Sequence, residues 1–320
     1  MSDDRTAAWY ERFATGEARG QSAIYEDWAT GVATDEDVLV LLRTLPRPKQ
    51  QPNLVFAASR LFGAPEGTFA EWKNWLLANW STVETGVATR STQTNEPRRC
   101  AALLPFLAEL PGPLALLEVG AAAGLCLYPD RYSYRYDDGA PLHPLDGESS
   151  VLLECATDGS VPIPTALPEV VWRGGIDLAP LALDNADDMT WLETLIWPEQ
   201  HERRARIRAA IAIARTDPPR IIAGDANDDL ARLVDEVPDD ATLVILHSGV
   251  LVYLSADDRH RFADRVRRLD ATWISNEPQG VVPNVQPAGT PPSSLFALAV
   301  DGHLRAFTGP HGQSIELAGS

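Results

Sequence analysis

Apolar residues recur every three or four positions along the first part of the chain. Trp9 and Phe13 are four apart, and Trp72 and Leu76 repeat the spacing further on. This period matches one face of an α-helix, and "TFAE" has the spacing of an N-terminal capping box. The pattern predicts an all-helical domain over residues 1–95.

After residue 113 the pattern changes to short apolar runs separated by amphipathic stretches. Five runs are typical of buried strands: "LALLEV", "EVVWRGGIDL", "RIIAGDA", "ATLVILHS" and "ATWISNE". Alternation of strands and helices predicts a mostly parallel sheet that is covered on both faces. "SLFALAV" and "LRAFTG" flank an Asp-Gly turn and predict a terminal antiparallel hairpin, which follows a loop, "PNVQPAGTPPSS". We therefore expect an α/β domain over residues 96–320.

Composition and charge narrow the classes of partner. The 320 residues are 45% hydrophobic and carry a formal net charge of -18. The negative charge disfavours nucleic acid, because phosphates are bound by Lys and Arg. The N-terminus is charged, and no apolar run reaches membrane-spanning length. The three cysteines and six histidines lack metal-ligand spacing. We expect a cytoplasmic protein with reduced thiols, no membrane segment and no metal site, and we leave its oligomeric state open.

The first predicted strand ends in a stretch of small residues, "EVGAAAGL". A loop that touches a ligand through its backbone needs residues without bulk. In doubly covered sheets such a loop runs into the N-terminus of a helix, where ligands bind. The alternative is an Ala-rich strand-to-helix turn that serves only packing.

This stretch and the strand order resemble the class I S-adenosylmethionine-dependent methyltransferases. Their motif is an acid followed by three alternating glycines, of which Ala122 replaces the middle one. The resemblance implies a Rossmann-like methyltransferase sheet with an inserted antiparallel strand, and S-adenosylmethionine as the cofactor. The cofactor-binding residues that it implies are Glu118, Gly120, Ala122, Gly124, Asp177 and Asp225.

Asp177 and Asp225 end the second and third predicted sheet strands. In the resembled family the acid after the second strand accepts hydrogen bonds from the ribose, and the adenine lies near the end of the third. Either acid could instead cap a helix. The step from Gly120 to Asp177 is long for that family, and "VLLECATDGSVPIP" (residues 151–164) reads as an inserted hairpin. The dinucleotide fingerprint fails at Ala122 and Leu125, so a nicotinamide-dependent oxidoreductase is disfavoured.

His247 and Glu277 end the fourth and fifth predicted strands and are the candidate catalytic residues. We expect the His247 ring to project from the carboxyl edge of the sheet, where an imidazole suits proton removal from a hydroxyl acceptor. Methyl transfer otherwise depends mainly on positioning. The alternatives are a histidine that is hydrogen-bonded in the rim of the sheet and a glutamate that caps a turn.

Two polar stretches are candidates for substrate binding. "STQTNEPRRC" contributes Gln93, Asn95, Glu96 and Arg99, although an Asx cap before Pro97 accounts for part of it. "YPDRYSYRY" adds Tyr128 and Arg131, for which packing is an equal alternative. Together with "EVGAAAGL", "RGGIDLAPL" and "VILHSGVLVYL", the first stretch resembles an uncharacterised bacterial family, domain of unknown function 2332, over nearly the whole chain.

The predicted function is methyl transfer from S-adenosylmethionine to the oxygen or nitrogen of a small-molecule substrate. The alternative is a non-catalytic ligand-binding or regulatory protein with a methyltransferase-like fold, since a fold alone does not assign a reaction.

Overall fold

The computed structural model describes residues 5–285, 292 and 294–319. The chain divides into two compact units. The first comprises Met1–Thr94 and Asn185–Ala205, and the second comprises Asn95–Asp184 and Arg206–Ser320. Most of the predicted loop "PNVQPAGTPPSS" lies outside the described residues. Within the described ranges, no helix combines the length and the apolar character needed to cross a membrane.

The first unit is helical. Its helices are α1 (Arg5–Phe13), α2 (Ala23–Thr34), α3 (Glu36–Thr44), α4 (Pro52–Leu61), α5 (Phe69–Thr89) and α7 (Ala186–Thr194). Buried aromatic rings form its core, in which Trp28 stacks on Trp72 at a centroid distance of 5.2 Å and meets Phe56 edge-on at 5.3 Å. The predicted capping box is confirmed, because the Thr68 hydroxyl and the Glu71 carboxylate each accept a hydrogen bond from the other's backbone N–H.

The second unit is built on one ten-stranded sheet. In spatial order its strands are β2 (Ser133–Tyr136), β3 (Leu152–Thr157), β10 (Ser314–Leu317), β9 (His303–Thr308), β8 (Phe296–Val300), β7 (Thr272–Pro278), β6 (Thr242–Ser248), β1 (Leu114–Val119), β4 (Val170–Asp177) and β5 (Arg220–Ala223). The other helices of the chain are α6 (Arg99–Leu107), α8 (His201–Thr216), α9 (Ala226–Val234) and α10 (Ala256–Val266).

The middle of this sheet agrees with the predicted alternation of strands and helices. The neighbours β5, β4, β1, β6 and β7 are all parallel. The predicted hairpin is also present, because β8 and β9 pair antiparallel. On one face of the sheet, Leu230 of α9 and Phe262 of α10 join Leu117 and Ile245 in a continuous apolar core.

Two expectations about the sheet are wrong. The resemblance implied an inserted antiparallel strand, but β8 pairs directly with β7, the preceding strand in the chain. Residues 151–164 form no hairpin, because β3 pairs in parallel with β2 and β10. Pro162 and Pro164, which lack an N–H, follow β3 where the second arm of a hairpin would need donors.

No crossover helix follows β1 either. Residues 125–127 form one 3-10 turn and the next element is β2. Gly124 is left-handed, with φ of +73°, and Pro129 stands two residues beyond the turn, where a helix would need its N–H. The chain therefore leaves β1 in a compact loop, and the methyltransferase-like arrangement of loop and helix N-terminus is missing.

Candidate functional site

The carboxyl ends of the five parallel strands collect most of the predicted site residues at one edge of the sheet. The chain passes from β1 to β4 on one side and returns to β6 on the other, so the crevice between β1 and β6 is the topological switch point. Ligands of open α/β sheets bind at such crevices. Gly120 follows β1, Asp177 ends β4, and His247 lies near the end of β6.

The backbone donors of the loop after β1 are all used within the chain. The N–H groups of Gly120 and Ala121 donate to the Ile176 carbonyl at 2.8 and 3.3 Å, and the N–H of Gly124 donates to the Ala121 carbonyl. The N–H of Ala122 donates to Asp177 Oδ2 at 2.9 Å.

The remaining two donors of the loop converge on one side chain. Asn95 Oδ1 accepts hydrogen bonds from the N–H groups of Ala123 and Leu125 at 3.2 and 3.0 Å. Asn95 is 2% exposed. An amide oxygen of the chain itself thus occupies the position where a ligand acceptor was expected, and Asn95 binds the loop through this oxygen.

The small residues of the loop are required by packing against protein. Gly120 has φ of +73°, and a Cβ added there would lie 2.4 Å from a methyl carbon of Val250. Gly175 of β4 is equally constrained, since its Cβ would lie 2.6 Å from that of Ala121. Ala122 adopts φ of +49°, a conformation that is strained for a residue with a Cβ. Val250, which sequence reasoning missed, fills the space beside Gly120.

The two acids beyond β4 and β5 have different roles. Asp177 is partly exposed; its Oδ2 holds Ala122 and its Oδ1 accepts from the Ala179 N–H at 2.8 Å. It caps no helix. Asp225 is the N-cap of α9, and its Oδ1 accepts from the Asn227 N–H at 2.7 Å, as the capping alternative predicts.

Glu118 is buried one residue before the end of β1 and is 4% exposed. Its Oε2 has no hydrogen-bond partner among the described residues. Burial, followed by the neighbouring Cys126, raises the pKa of Glu118 well above its ordinary value, and Arg99 opposes the shift. The carboxyl therefore favours its protonated, neutral form in this environment.

His247 lies in the core, and the expectation that its ring projects from the sheet edge is wrong. Its Nδ1 lies 2.7 Å from Glu277 Oε1, and its Nε2 lies 3.0 Å from the indole nitrogen of Trp273. The indole can only donate, so the neutral ring donates from Nδ1 to Glu277. Alternate side chains of a strand share a face, and His247 therefore sits on the same side as Ile245, against Phe262.

Glu277 is fully buried and belongs to the same network. Its Oε1 also accepts the backbone N–H groups of Val250 and Leu251 at 2.8 and 3.0 Å. This carboxylate thereby holds the turn that begins after β6. Both predicted catalytic residues hold β6, β7 and this turn together.

The other predicted substrate residues are also tied to protein. Glu96 is fully buried, and its Oε1 accepts from Arg206 Nε at 3.0 Å. Arg99 donates to the carbonyls of Ser248 and Pro310 at 2.6 and 3.1 Å. Gln93 belongs to the first unit. Asn95, Glu96 and Arg99 thus lie at the predicted site, where their buried side chains hydrogen-bond to other parts of the chain.

Tyr128 follows the packing alternative. Its hydroxyl donates to the Asp217 carbonyl at 2.7 Å, and the guanidinium of Arg173 lies 4.9 Å from its ring centroid. Arg131 is about half exposed and contacts Asp130 at 3.3 Å. The buried Arg173–Asp130 pair was missed, because an Arg inside an apolar strand gives no local sign of its partner.

One cavity of 380 Å³ lies beside the loop. Its lining residues are Pro180, Leu181, Ala182, Leu183, Asp184, Arg215, Pro218, Pro219 and Ile221. Leu181 contacts the loop through its N–H, which donates to the Ala122 carbonyl at 3.1 Å. Within the described part of the chain, no group of three or more His, Cys, Asp or Glu side chains is arranged to hold a metal ion.

Comparison with known proteins gives one match. A family model described as "Uncharacterized protein conserved in bacteria (DUF2332)" matches residues 7–316. No curated protein matches the chain, and no solved structure matches it. Because the family model covers nearly the whole sequence, the chain belongs to this bacterial family, DUF2332.

Proposed function

We propose that the second unit binds a nucleoside and does not catalyse a reaction. The nucleoside would lie at the carboxyl edge of the sheet, with its ribose hydroxyls hydrogen-bonded to Asp177. The observation that carries the proposal is the partly exposed Asp177 carboxylate, which ends β4 next to β1 and is bonded to the loop after β1. Each of its oxygens accepts one backbone N–H. A carboxylate oxygen offers two acceptor sites, so each can take a ribose hydroxyl without giving up the loop.

S-adenosylmethionine fits this edge only in part. Asp177 suits the nucleoside half. The methionyl half finds no backbone donor in the loop, since the N–H groups from Gly120 to Leu125 all donate within the chain. The space beside Gly120 is taken by Val250. We therefore derive no methyl-transfer step for this chain.

The buried positions of His247 and Glu277 favour binding over catalysis. Both ring nitrogens of His247 have protein partners, and Glu277 serves three donors through one oxygen. A general base has to reach the proton that it removes, and this histidine is 1% exposed with its two ring nitrogens directed at Trp273 and Glu277. Methyl transfer by positioning alone is the remaining catalytic alternative.

Isothermal titration with adenosine, S-adenosylmethionine, S-adenosylhomocysteine and NAD tests the proposal. We expect adenosine to bind, and S-adenosylmethionine to bind no more than about tenfold more tightly, a difference of about 1.4 kcal/mol. Much tighter binding of S-adenosylmethionine would restore the methyltransferase interpretation. Absence of binding by all four compounds would refute nucleoside binding.

Two variants locate the site. Asp177→Asn keeps one acceptor oxygen for the loop but weakens the charge-assisted bonds to a ribose, each about 1.5–3 kcal/mol. It should weaken adenosine binding by about tenfold or more. Asp240→Asn, at an exposed aspartate before β6, is the matched control and should change nothing.

A further inference from the structure

The cavity beside the loop has rigid apolar walls. Pro180, Pro218 and Pro219 contribute three of its nine lining residues, and Leu181, Leu183 and Ile221 supply branched side chains. Proline fixes its own backbone dihedral φ, so much of the wall is preorganised. Its 380 Å³ falls within the range of about 300–1,000 Å³ that small-molecule sites occupy. All nine residues belong to the second unit.

Two opposite charges stand in this apolar lining. Arg215, in the last turn of α8, donates from Nε to the Leu183 carbonyl at 2.7 Å, which fixes the guanidinium against the cavity wall. The side chains of Arg215 and Asp184 are both exposed. Among the described residues, the terminal nitrogens of Arg215 and the Asp184 carboxylate have no hydrogen-bond partner. An arginine side chain binds a carboxylate in a two-pronged geometry, and an aspartate accepts hydrogen bonds from an ammonium group.

We propose that this cavity binds a free α-amino acid with an apolar side chain. Arg215 would take the carboxylate, Asp184 the ammonium group, and the proline- and leucine-lined wall the side chain. A ligand with a single charge would pair with only one of these exposed side chains and leave the other to water, and a ligand with no apolar part would leave the wall exposed to water. The site is separate from Asp177 and does not depend on nucleoside binding.

The cavity also shares a wall with the loop after β1. A Cβ at Gly124 would lie 2.9 Å from Pro219 Cγ and 3.0 Å from Ile221 Cδ1. Leu181 is bonded to Ala122 through its N–H. An amino acid seated here therefore packs against the same residues that hold the loop in place.

Isothermal titration of the full chain with L-leucine tests the proposal, with glycine, 4-methylpentanoate and 3-methylbutylamine as partial ligands. We expect L-leucine to bind, glycine to bind at least tenfold more weakly, and each singly charged analogue to bind about two- to fivefold more weakly, because the two charged side chains are exposed. Absence of L-leucine binding at millimolar concentration would overturn the proposal, as would equal affinity for L-leucine and 4-methylpentanoate.

Charge-removing variants then assign the two ends of the ligand. Arg215→Gln should weaken L-leucine and 4-methylpentanoate alike, whereas Asp184→Asn should weaken L-leucine and leave 4-methylpentanoate unchanged. Arg265→Gln and Asp240→Asn, at exposed positions outside the cavity lining, are the matched controls. Unchanged L-leucine affinity in both cavity variants would place the ligand elsewhere and refute the assignment. Adenosine titration of the same variants keeps this result separate from nucleoside binding.

Discussion

Replacement of His247 by alanine tests whether this histidine holds the core together or performs chemistry. The ring accepts a hydrogen bond from the Trp273 indole and donates one to Glu277. It is 1% exposed and packs edge-on against Phe262 at a centroid distance of 5.5 Å. Truncation therefore leaves a buried indole N–H without an acceptor, takes one of three donors from a buried carboxylate, and empties the space of the ring.

The size of the effect follows from these three losses. A buried donor left without a partner costs about 1–3 kcal/mol, and a hydrogen bond to a charged group contributes about 1.5–3 kcal/mol. Loss of a buried side chain adds a cavity cost. Because the three effects share one site and overlap, we expect His247→Ala to lower the free energy of unfolding by about 3–5 kcal/mol. That is a large part of the roughly 5–15 kcal/mol that stabilises an ordinary domain.

Urea unfolding followed by tryptophan fluorescence measures the change, and two further variants divide it. His247→Gln returns an acceptor towards Trp273, and His247→Asn returns a donor towards Glu277; both should lose less than His247→Ala. His303→Ala, at an exposed position of β9, is the control and should fall within about 0.5 kcal/mol of the parent. A change below about 1 kcal/mol in His247→Ala would refute the structural role.

Three further perturbations test the loop and the buried acid. Asn95→Ala leaves two backbone N–H groups buried without acceptors and should lower the free energy of unfolding in urea by about 2–4 kcal/mol. Asn95→Asp keeps the acceptor oxygen and should retain most of the stability. Equal losses in the two variants would contradict the role of the Asn95 oxygen in holding the loop. Gly120→Ala should lower the free energy of unfolding by about 2–4 kcal/mol, because Gly120 has a positive φ and an added Cβ would contact Val250. Adding Val250→Ala should recover part of that loss. No recovery would mean that the contact with Val250 does not contribute to it. Glu118 has a raised pKa when folded, so its contribution to stability is complete below its ordinary value of 4.5 and is lost as the pH rises towards the folded pKa. Glu118→Gln should therefore gain stability over the parent as the pH rises above 4.5, and a difference that stays constant from pH 4 to 8 would refute the shift.

The five parallel strands, most of the helices and the terminal hairpin could be predicted from the sequence because each carries a local signal. The runs that became β1, β4, β5, β6 and β7 are apolar and are bounded by turn residues, and β8 and β9 flank an Asp-Gly turn. The outer strands could not be placed in this way. β3 pairs with β10, more than 150 residues further along the chain, and no local pattern specifies a pairing at such a separation.

The site was predicted to the level of the sheet edge but not to the level of side-chain direction. Neighbouring parallel strands bring their carboxyl ends to the same edge of the sheet whatever their side chains are. Gly120, Asp177 and His247 were therefore expected at one edge. Which side chain meets the His247 ring depends on the register of β6 with the neighbouring strand β7, which brings Trp273 beside it. "VILHS" alternates Ile245 and His247 on one face, and this signal could have placed the ring in the core. The donors taken by Asn95 depend on a contact across 28 and 30 residues, which spacing does not reveal.

Asn95 also sets how strongly any solute has to compete for the loop after β1. Its amide oxygen is joined to the loop by the chain itself, so it is present there at an effective concentration that is millimolar or higher for a short tether. A dissolved acceptor at micromolar concentration would have to bind the same two N–H groups about a thousandfold more tightly to displace it half of the time. The Asn95 side chain thus acts as an intramolecular ligand of this loop. A molecule can displace it only if it is abundant or gains further contacts elsewhere on the carboxyl edge of the sheet.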